Sequence, residues 1–297
     1  MQEPKGPVHI NAPFREPFYP KADAPWSYSE TIRIIDDYIA NYELTAEQKE
    51  IIAATWPSYH HVLIVAGQQD PTFDQIDSLK KIAGYHRIPI LGDVISNIHS
   101  IDSVVSHADL FLSQASPDVK KTLAPDLLIT FGGAIISKNV KNFLREYPAK
   151  THWHIQCAGM VPVSNFFEFL TTLPRPDTFD NQKQENYHKL WEVEERRALR
   201  SLDTFFPRPD FAEFELVHEI MNNLPSNCNL HLANSMSVRY ANFIGLKSAQ
   251  KGVRVFSNRG TSGIDGCTST AVGHALVSDI PNFLITIIDI AIEIQFH

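Results

Sequence analysis

The chain has 297 residues, of which 43% are hydrophobic and 20% are charged, and its formal net charge is -8. The length allows two domains of ordinary size, and the composition is typical of an ordered globular protein. The negative charge argues against a nucleic-acid or anionic-membrane partner, because either would need a clustered basic surface.

The first part of the chain alternates strand-like and helix-like segments. The strand-like runs are residues 61–67, 88–93, 127–133 and 151–158, and the helix-like ones are residues 74–83 and 141–147. Three of these strand-like runs end in or just before a glycine or aspartate turn. This alternation predicts a doubly wound, Rossmann-like α/β domain with a parallel sheet.

The composition changes between residues 173 and 210, where prolines bracket a charged, helix-like stretch at residues 184–202. We interpret this stretch as an interdomain connection rather than a core element. A second domain then begins near residue 211. Its predicted helices are residues 214–223, 237–244 and 268–277, and its predicted strands are residues 229–233, 253–256 and 282–287. A complete open sheet needs more strands, so we expect this domain to be partial.

The most informative segment of the second domain is residues 257–266, SNRGTSGIDG. Its glycines allow the backbone to approach a ligand closely, and Arg259 supplies a permanent cation. Ile264 is a large apolar residue among small or polar neighbours. Because this turn and the turn at residues 234–235 would meet at the carboxyl edge of one parallel sheet, the segment predicts a binding loop for an anionic ligand with an apolar ring.

Three segments carry a resemblance to a known family. They are residues 232–239, LANSMSVR, residues 257–266, and residues 269–271, STA. Together they resemble the diphosphate-binding domain of thiamine-diphosphate enzymes. Within that superfamily the chain is similar to the 2-succinyl-5-enolpyruvyl-6-hydroxy-3-cyclohexene-1-carboxylate synthases.

The resemblance extends to ILGDV at residues 90–94 and FGG at residues 131–133, which look like the family's central domain. Residues 6–17 are similar to the segment that leaves its pyrimidine-binding domain. The resemblance therefore implies four segments: a linker at residues 1–20, a central α/β domain at 21–172, a connection at 173–210, and a partial diphosphate-binding domain at 211–297.

The family resemblance implies a reaction and its partners. The enzymes join decarboxylated 2-oxoglutarate to isochorismate by a 1,4-addition in menaquinone biosynthesis, using thiamine diphosphate and Mg²⁺ as homodimers or tetramers. The pyrimidine domain is missing from this chain, and TIIDI at residues 286–290 stands where the magnesium motif is expected. We therefore expect an incomplete, inactive portion of the enzyme that has no metal ligands of its own.

The same resemblance implies the roles of individual residues. The catalytic residues would be Ser235, Arg239 and Arg259, the cofactor-binding residues Asn234, Ser235, Gly263 and Ile264, and the substrate-binding residues Lys138, Arg239 and Arg259. A guanidinium fork suits a carboxylate because it binds both oxygens at once. The simpler alternatives are a surface role for the cations and a core position for Ile264.

Other functions stay open. An acetolactate-synthase-like enzyme would need fewer carboxylate-binding cations, and a non-catalytic α/β module could bind a regulatory ligand or bridge subunits. His152 and His154 share a face of a predicted strand at metal-ligand spacing, although no third ligand accompanies them. Gly132 and Gly133 lack the full pattern of a dinucleotide site.

Cysteine spacing and the first residues bear on localisation. Cys157, Cys228 and Cys267 are far apart and lack metal-ligand spacing, so we interpret them as reduced thiols. The residues after Met1 have neither the basic start nor the apolar stretch of a signal peptide. These observations favour a cytoplasmic protein.

Overall fold

A computed structural model describes residues 43–155, 163–175, 182–206, 212–260, 262–288 and 291–296. Its first sheet consists of parallel strands in the order β3-β2-β1-β4-β5. The strands are β1 (Val62–Ala66), β2 (Ile90–Gly92), β3 (Val104–Val105), β4 (Leu127–Phe131) and β5 (Thr151–Ile155). The parallel order confirms the predicted doubly wound α/β fold.

Helices follow or precede these strands, as crossover connections require. They are α1 (Ala46–Thr55), α2 (Phe73–Lys81), α3 (Ala108–Gln114), α4 (Pro117–Leu123), α5 (Lys138–Glu146) and α6 (Val163–Thr172). A wider helical turn at Ile82–His86 continues α2, and a 3-10 turn at Val94–Ser96 follows β2. The predicted start of α5 at residue 141 is three residues late. The helix begins earlier because the Ser137 hydroxyl accepts from the backbone N–H of Val140 and caps it.

Strand β1 shows how the first sheet builds a core on both faces. Val62, Ile64 and Ala66 pack on one face with the side chains of α2 and α6. Leu63 and Val65 point to the other face, where α3 and α5 pack. Because both faces are covered, the strand is apolar throughout rather than alternating, as parallel sheets require.

Helix α7 (Gln182–Phe205) packs on this second face, which corrects our interpretation of it as a connection only. Tyr187 and Trp191 are fully buried, and burying such an aromatic side chain stabilises by about 2 kcal/mol. The Tyr187 hydroxyl donates to the carbonyl of Leu123 at 2.9 Å. Gln184 accepts from the backbone N–H of Val62 at 2.9 Å. The segment boundaries along the chain stay a prediction, but α7 belongs to the core of the first sheet.

The second sheet has the order β7-β6-β8-β9. Its strands are β6 (Asn229–Leu232), β7 (Arg254–Phe256), β8 (Asn282–Ile288) and β9 (Ala291–Phe296), and its helices are α8 (Glu213–Asn222), α9 (Met236–Ile244) and α10 (Cys267–Ala275). The first three strands are parallel, as predicted, whereas β9 runs antiparallel to β8.

The two sheets share a packed seam. The core of the second sheet contains Val94, Ile95 and Ile136 from the first sheet's loops, beside Leu230 and Val255. Because these side chains are buried, loops that follow strands of the first sheet form part of the core of the second sheet. In the part of the chain that the structure describes, every helix is too short or too polar to cross a lipid bilayer.

Candidate functional site

The candidate site lies at the carboxyl edge of the second sheet. Strand β6 leads through Asn234 and Ser235 into α9, and β7 leads through the loop of residues 257–266 into α10. Since β6 and β7 are parallel neighbours, both turns lie at the same edge. This is the edge at which open α/β sheets bind ligands.

Asn234 holds the loop in place. Its side chain is buried, and its amide nitrogen donates to the carbonyl oxygens of Asn258 at 2.7 Å and Gly263 at 2.6 Å. Its amide oxygen accepts from Nη1 of Arg259 at 2.8 Å. One side chain after β6 therefore binds two points of the loop after β7 as well as its cation.

Arg259 is partly buried and incompletely paired. One guanidinium nitrogen binds Asn234, while the buried Nε has no hydrogen-bond partner among the described residues. A buried unpaired donor is costly, so an oxygen of a ligand would remove that cost. Arg259 is therefore held by Asn234, and its Nε–H group remains able to donate a hydrogen bond to an anion.

The backbone around the site adopts strained conformations. Ser235, at the start of α9, has φ 71° and ψ -126°, and its side chain makes no capping hydrogen bond. Ser262 also has a positive φ of 58°. Non-glycine residues rarely adopt these angles, and such strain is concentrated at binding and catalytic sites.

Ile264 projects from the loop instead of joining the core. It is 72% exposed, which makes it one of the most exposed large apolar side chains described. The space around the Cβ position of the preceding Gly263 is empty to 4 Å. The core alternative for Ile264 is therefore wrong, and the residue is available to contact a ligand.

The remaining predicted cations lie apart from this cluster. Arg239 is exposed on the first turn of α9, where Nη1 lies 3.8 Å from the sulfur of Met236. Lys138 is exposed at the start of α5 and makes no hydrogen bond or ion pair with a described residue. The structure thus joins Asn234, Arg259 and Gly263, but it shows no contact that links Lys138 to them.

Lys138 is positioned by buried carboxylates. Asp93 accepts from the backbone N–H groups of Ile136 and Ser137, and the Ser137 hydroxyl donates to Asp109 at 2.6 Å. Burial raises the pKa of Asp93 to about 6, although the two backbone donors oppose this shift. These contacts fix the conformation of the turn that immediately precedes Lys138.

Two polar residues of the first sheet also position the loop, and the sequence analysis missed both. The Gln68 amide donates to the carbonyl of Ser257 at 2.7 Å. The Asn97 amide accepts from the N–H of Val255 at 2.6 Å and donates to its carbonyl at 3.0 Å. Only their places after β1 and β2 could have indicated this role, because their partners lie more than 150 residues away along the chain.

The metal and dinucleotide alternatives gain no support. His152 and His154 do share a face, but both bind the Thr130 hydroxyl, at 2.7 and 2.8 Å. No group of three or more His, Cys, Asp or Glu residues in the described ranges could hold a metal ion. A Cβ on Gly67 would lie 2.1 Å from the carbonyl oxygen of Gly133, so these glycines serve close packing of two turns.

The cysteines and the stretch at residues 286–290 were also singled out from the sequence. Cys228 and Cys267 are free and buried, whereas Cys157 lies outside the described residues. Asp289, in the stretch that stands where the resemblance implies a magnesium motif, also lies outside them.

Comparisons with known proteins bear on this site. The family described as "Middle domain of thiamine pyrophosphate" matches residues 36–232. A protein of Cytophaga hutchinsonii named 2-succinyl-5-enolpyruvyl-6-hydroxy-3-cyclohexene-1-carboxylate synthase is 38% identical over 285 residues, which cover 92% of this chain and 49% of the relative. Proteins of the same name from Flavobacterium johnsoniae and Bacteroides fragilis are both 32% identical, over 95% of this chain and 51% and 50% of their own lengths. The chain spans about half the length of the curated relatives it matches.

Proposed function

Because the chain belongs to the thiamine pyrophosphate middle-domain family, we propose that it serves a thiamine-diphosphate-dependent carboligase of menaquinone biosynthesis. The reaction would join decarboxylated 2-oxoglutarate to isochorismate, giving the product in the relatives' name. The chain would supply the central domain and the first half of the diphosphate-binding domain. We expect no turnover from these 297 residues alone, because the matched portion covers half of each relative.

The observation that carries this proposal is the Asn234-bound loop, which presents Arg259 and Ile264 at one sheet edge. Its residues fit the cofactor: the apolar Ile264 is exposed beside the open Gly263, and the start of α9, which has no side-chain cap, lies at the same sheet edge for phosphate. When bound, thiamine diphosphate supplies the electron sink for carbon–carbon bond formation. In the proposal, Ile264 supports the cofactor ring, while Asn234 and Gly263 shape the loop around it.

The protein's part in catalysis would be to bind and orient carboxylates. Both proposed substrates are anionic, and Arg259 has an unpaired buried donor with which to grip a carboxylate oxygen. Arg239 and Ser235, one helical turn apart, would contact substrate or diphosphate from the start of α9. Lys138 would face the substrate from the first sheet, which its exposure permits.

Magnesium does not fit the described residues, which contain no cluster of carboxylates suited to it. In this proposal Mg²⁺ binds only in the longer enzyme. Localisation in the cytoplasm is part of the same proposal.

A homodimer or tetramer is also part of the proposal. Leu276 and Val277, at the end of α10, are 81% and 82% exposed, and Val272 on the same helix is also exposed. A cluster of exposed apolar side chains is typical of a surface that another polypeptide covers. The covering surface would come from a second subunit.

The test compares two arginine variants of the full-length natural protein. Arg259→Lys keeps the charge but loses the guanidinium fork, whereas Arg254→Lys changes an arginine that pairs with Asp70 at the surface. We expect R259K to raise KM for 2-oxoglutarate and lower its decarboxylation, with R254K close to wild type. Equal activity of the two variants would refute the role of Arg259.

The same assay separates the alternatives. Turnover of pyruvate in preference to 2-oxoglutarate would favour an acetolactate-synthase-like enzyme. Absence of turnover with both substrates, together with no calorimetric binding of thiamine diphosphate and Mg²⁺, would favour a non-catalytic module.

A further inference from the structure

His107 lies where helices α3, α7 and α9 meet, and it is distant in sequence from the loop of residues 257–266. It precedes α3 in the first sheet's unit and is buried, with 5% of its surface exposed. Glu195 of α7 contacts it on one side, and the last residue of α9, Ile244, contacts it on the other. One imidazole ring therefore touches three elements, including the helix that begins at the candidate site.

Both ring nitrogens of His107 face acceptors. Nδ1 lies 2.6 Å from a carboxylate oxygen of Glu195, and Nε2 lies 2.9 Å from the carbonyl oxygen of Ile244. A neutral imidazole has one N–H, so it would direct a lone pair at one of these oxygens. The imidazolium has two N–H groups and satisfies both, which is the state that this geometry requires.

Further contacts hold both of these acceptors in place. The two oxygens of Glu195 also accept from the backbone N–H groups of Ser106, at 3.1 Å, and His107, at 3.0 Å. The carbonyl of Ile244 precedes Gly245, which has φ +72°, and a Cβ there would lie 2.9 Å from Nε2 of His107. The ring is thus enclosed between a fixed carboxylate and a close-packed helix end.

The electrostatics agree with this geometry. Burial alone would lower the pKa of His107, but the hydrogen bond and charge of Glu195 and the carbonyl of Ile244 outweigh it, so the pKa is raised. Glu195 is the charged side chain that acts on the ring, and among the described residues no other charged group does so. The stabilisation is therefore complete below the ordinary histidine pKa and is lost as the pH rises through the raised value.

We propose that His107 is a positioning residue that, as an imidazolium, ties the end of α9 to α7 and so fixes the helix that carries Ser235 and Arg239. Loss of its proton as the pH rises releases that helix end and loosens the candidate site. The proposal depends on the proposed function only where it calls Ser235 and Arg239 site residues. The proton and the tie are properties of the chain itself and can be measured without substrate.

The first measurement is a histidine NMR titration of the 297-residue chain. We expect the His107 ring to titrate above the ordinary value of 6.5 and so to be protonated on both nitrogens at pH 6. Glu195→Gln keeps an acceptor but removes the charge, and it should shift the titration of His107 below 6.5. Glu194→Gln is the matched control, because Glu194 pairs with Arg197 and does not contact His107. A neutral wild-type ring at pH 6, or equal shifts in the two variants, would overturn the proposal.

The second measurement is hydrogen exchange at the end of α9, which separates a positioning role from a general loss of stability. At pH 6.5, E195Q should exchange the amides of Ile244 and Gly245 about tenfold faster than E194Q does, since a hydrogen bond to a charged group is lost. At a pH above the His107 titration, wild type and E195Q should converge. Exchange that rises equally throughout the chain, or no convergence at high pH, would contradict the tie.

Discussion

Asn234 provides the sharpest test of how the loop is held. Asn234→Ala removes two hydrogen bonds to the carbonyls of Asn258 and Gly263 and one from Arg259. A neutral hydrogen bond contributes about 1 kcal/mol and one to a charged group about 2 kcal/mol, but water can replace part of this at a half-exposed loop. We therefore expect the loop to lose about 2 kcal/mol of local stability.

Hydrogen exchange of the amides at residues 262–266 measures this loss directly. A change of about 2 kcal/mol corresponds to exchange about thirtyfold faster. Asn234→Asp should cost at least as much, because a carboxylate oxygen would replace the donor that faces two carbonyls. Asn223→Ala is the control, since Asn223 is exposed and its side chain, among the described residues, binds the carbonyl of Glu219 in the helix it follows. Loop exchange in N234A that matches N223A would refute the reasoning.

Three further predictions concern stability and are measured by chemical denaturation. In Asp93→Asn, the free energy of unfolding relative to wild type should rise by about 1 to 2 kcal/mol between pH 5 and pH 7.5. The reason is that the raised pKa of Asp93 makes wild type lose stability as the pH rises through about 6, whereas the variant has no such proton to lose. A difference that stays constant with pH would contradict this. Gly67→Ala should destabilise by at least about 2 kcal/mol, because its Cβ meets a backbone oxygen at 2.1 Å, whereas Gly84→Ala, with open space, should not; equal effects would contradict the packing. Trp191→Ala should lower the free energy of unfolding by about 4 kcal/mol, whereas the control Leu190→Ala, at a half-exposed position, should lower it by under about 1 kcal/mol. Similar losses in the two variants would contradict a core role for α7.

The sequence predicted the strands and the site loop because their signals are local. Apolar runs that end in glycine or a polar turn correspond to β1, β4 and β6, and the fold class is confirmed. The segment at residues 257–266 does lie at a sheet edge between a strand and a helix. The resemblance to the synthase family is confirmed by relatives of that name. The roles of the individual site residues stay predictions.

The features that were missed depend on contacts distant in sequence. Helix α7 has a polar composition, and its core role rests on few buried residues such as Tyr187 and Trp191, whose partners lie far back along the chain. Gln184 binds Val62 across 122 positions. Similarly, no local pattern around Asn234 indicates that its amide binds Asn258 and Arg259. Periodicity reports which face is apolar, but it does not identify the partner of a polar side chain.

The Asn97 contact shows why the loop cannot be understood from the second sheet alone. Strand β7 lies at the edge of that sheet, and an edge strand has unpaired backbone groups. The Asn97 amide pairs with both backbone groups of Val255, as a neighbouring strand would, and Gln68 binds the carbonyl of Ser257 two residues later. The next turn carries Arg259. Residues that follow strands of the first sheet therefore support the backbone just before the cation. A substitution at Asn97 would displace Arg259 even though Asn97 itself contacts Val255 and not the cation.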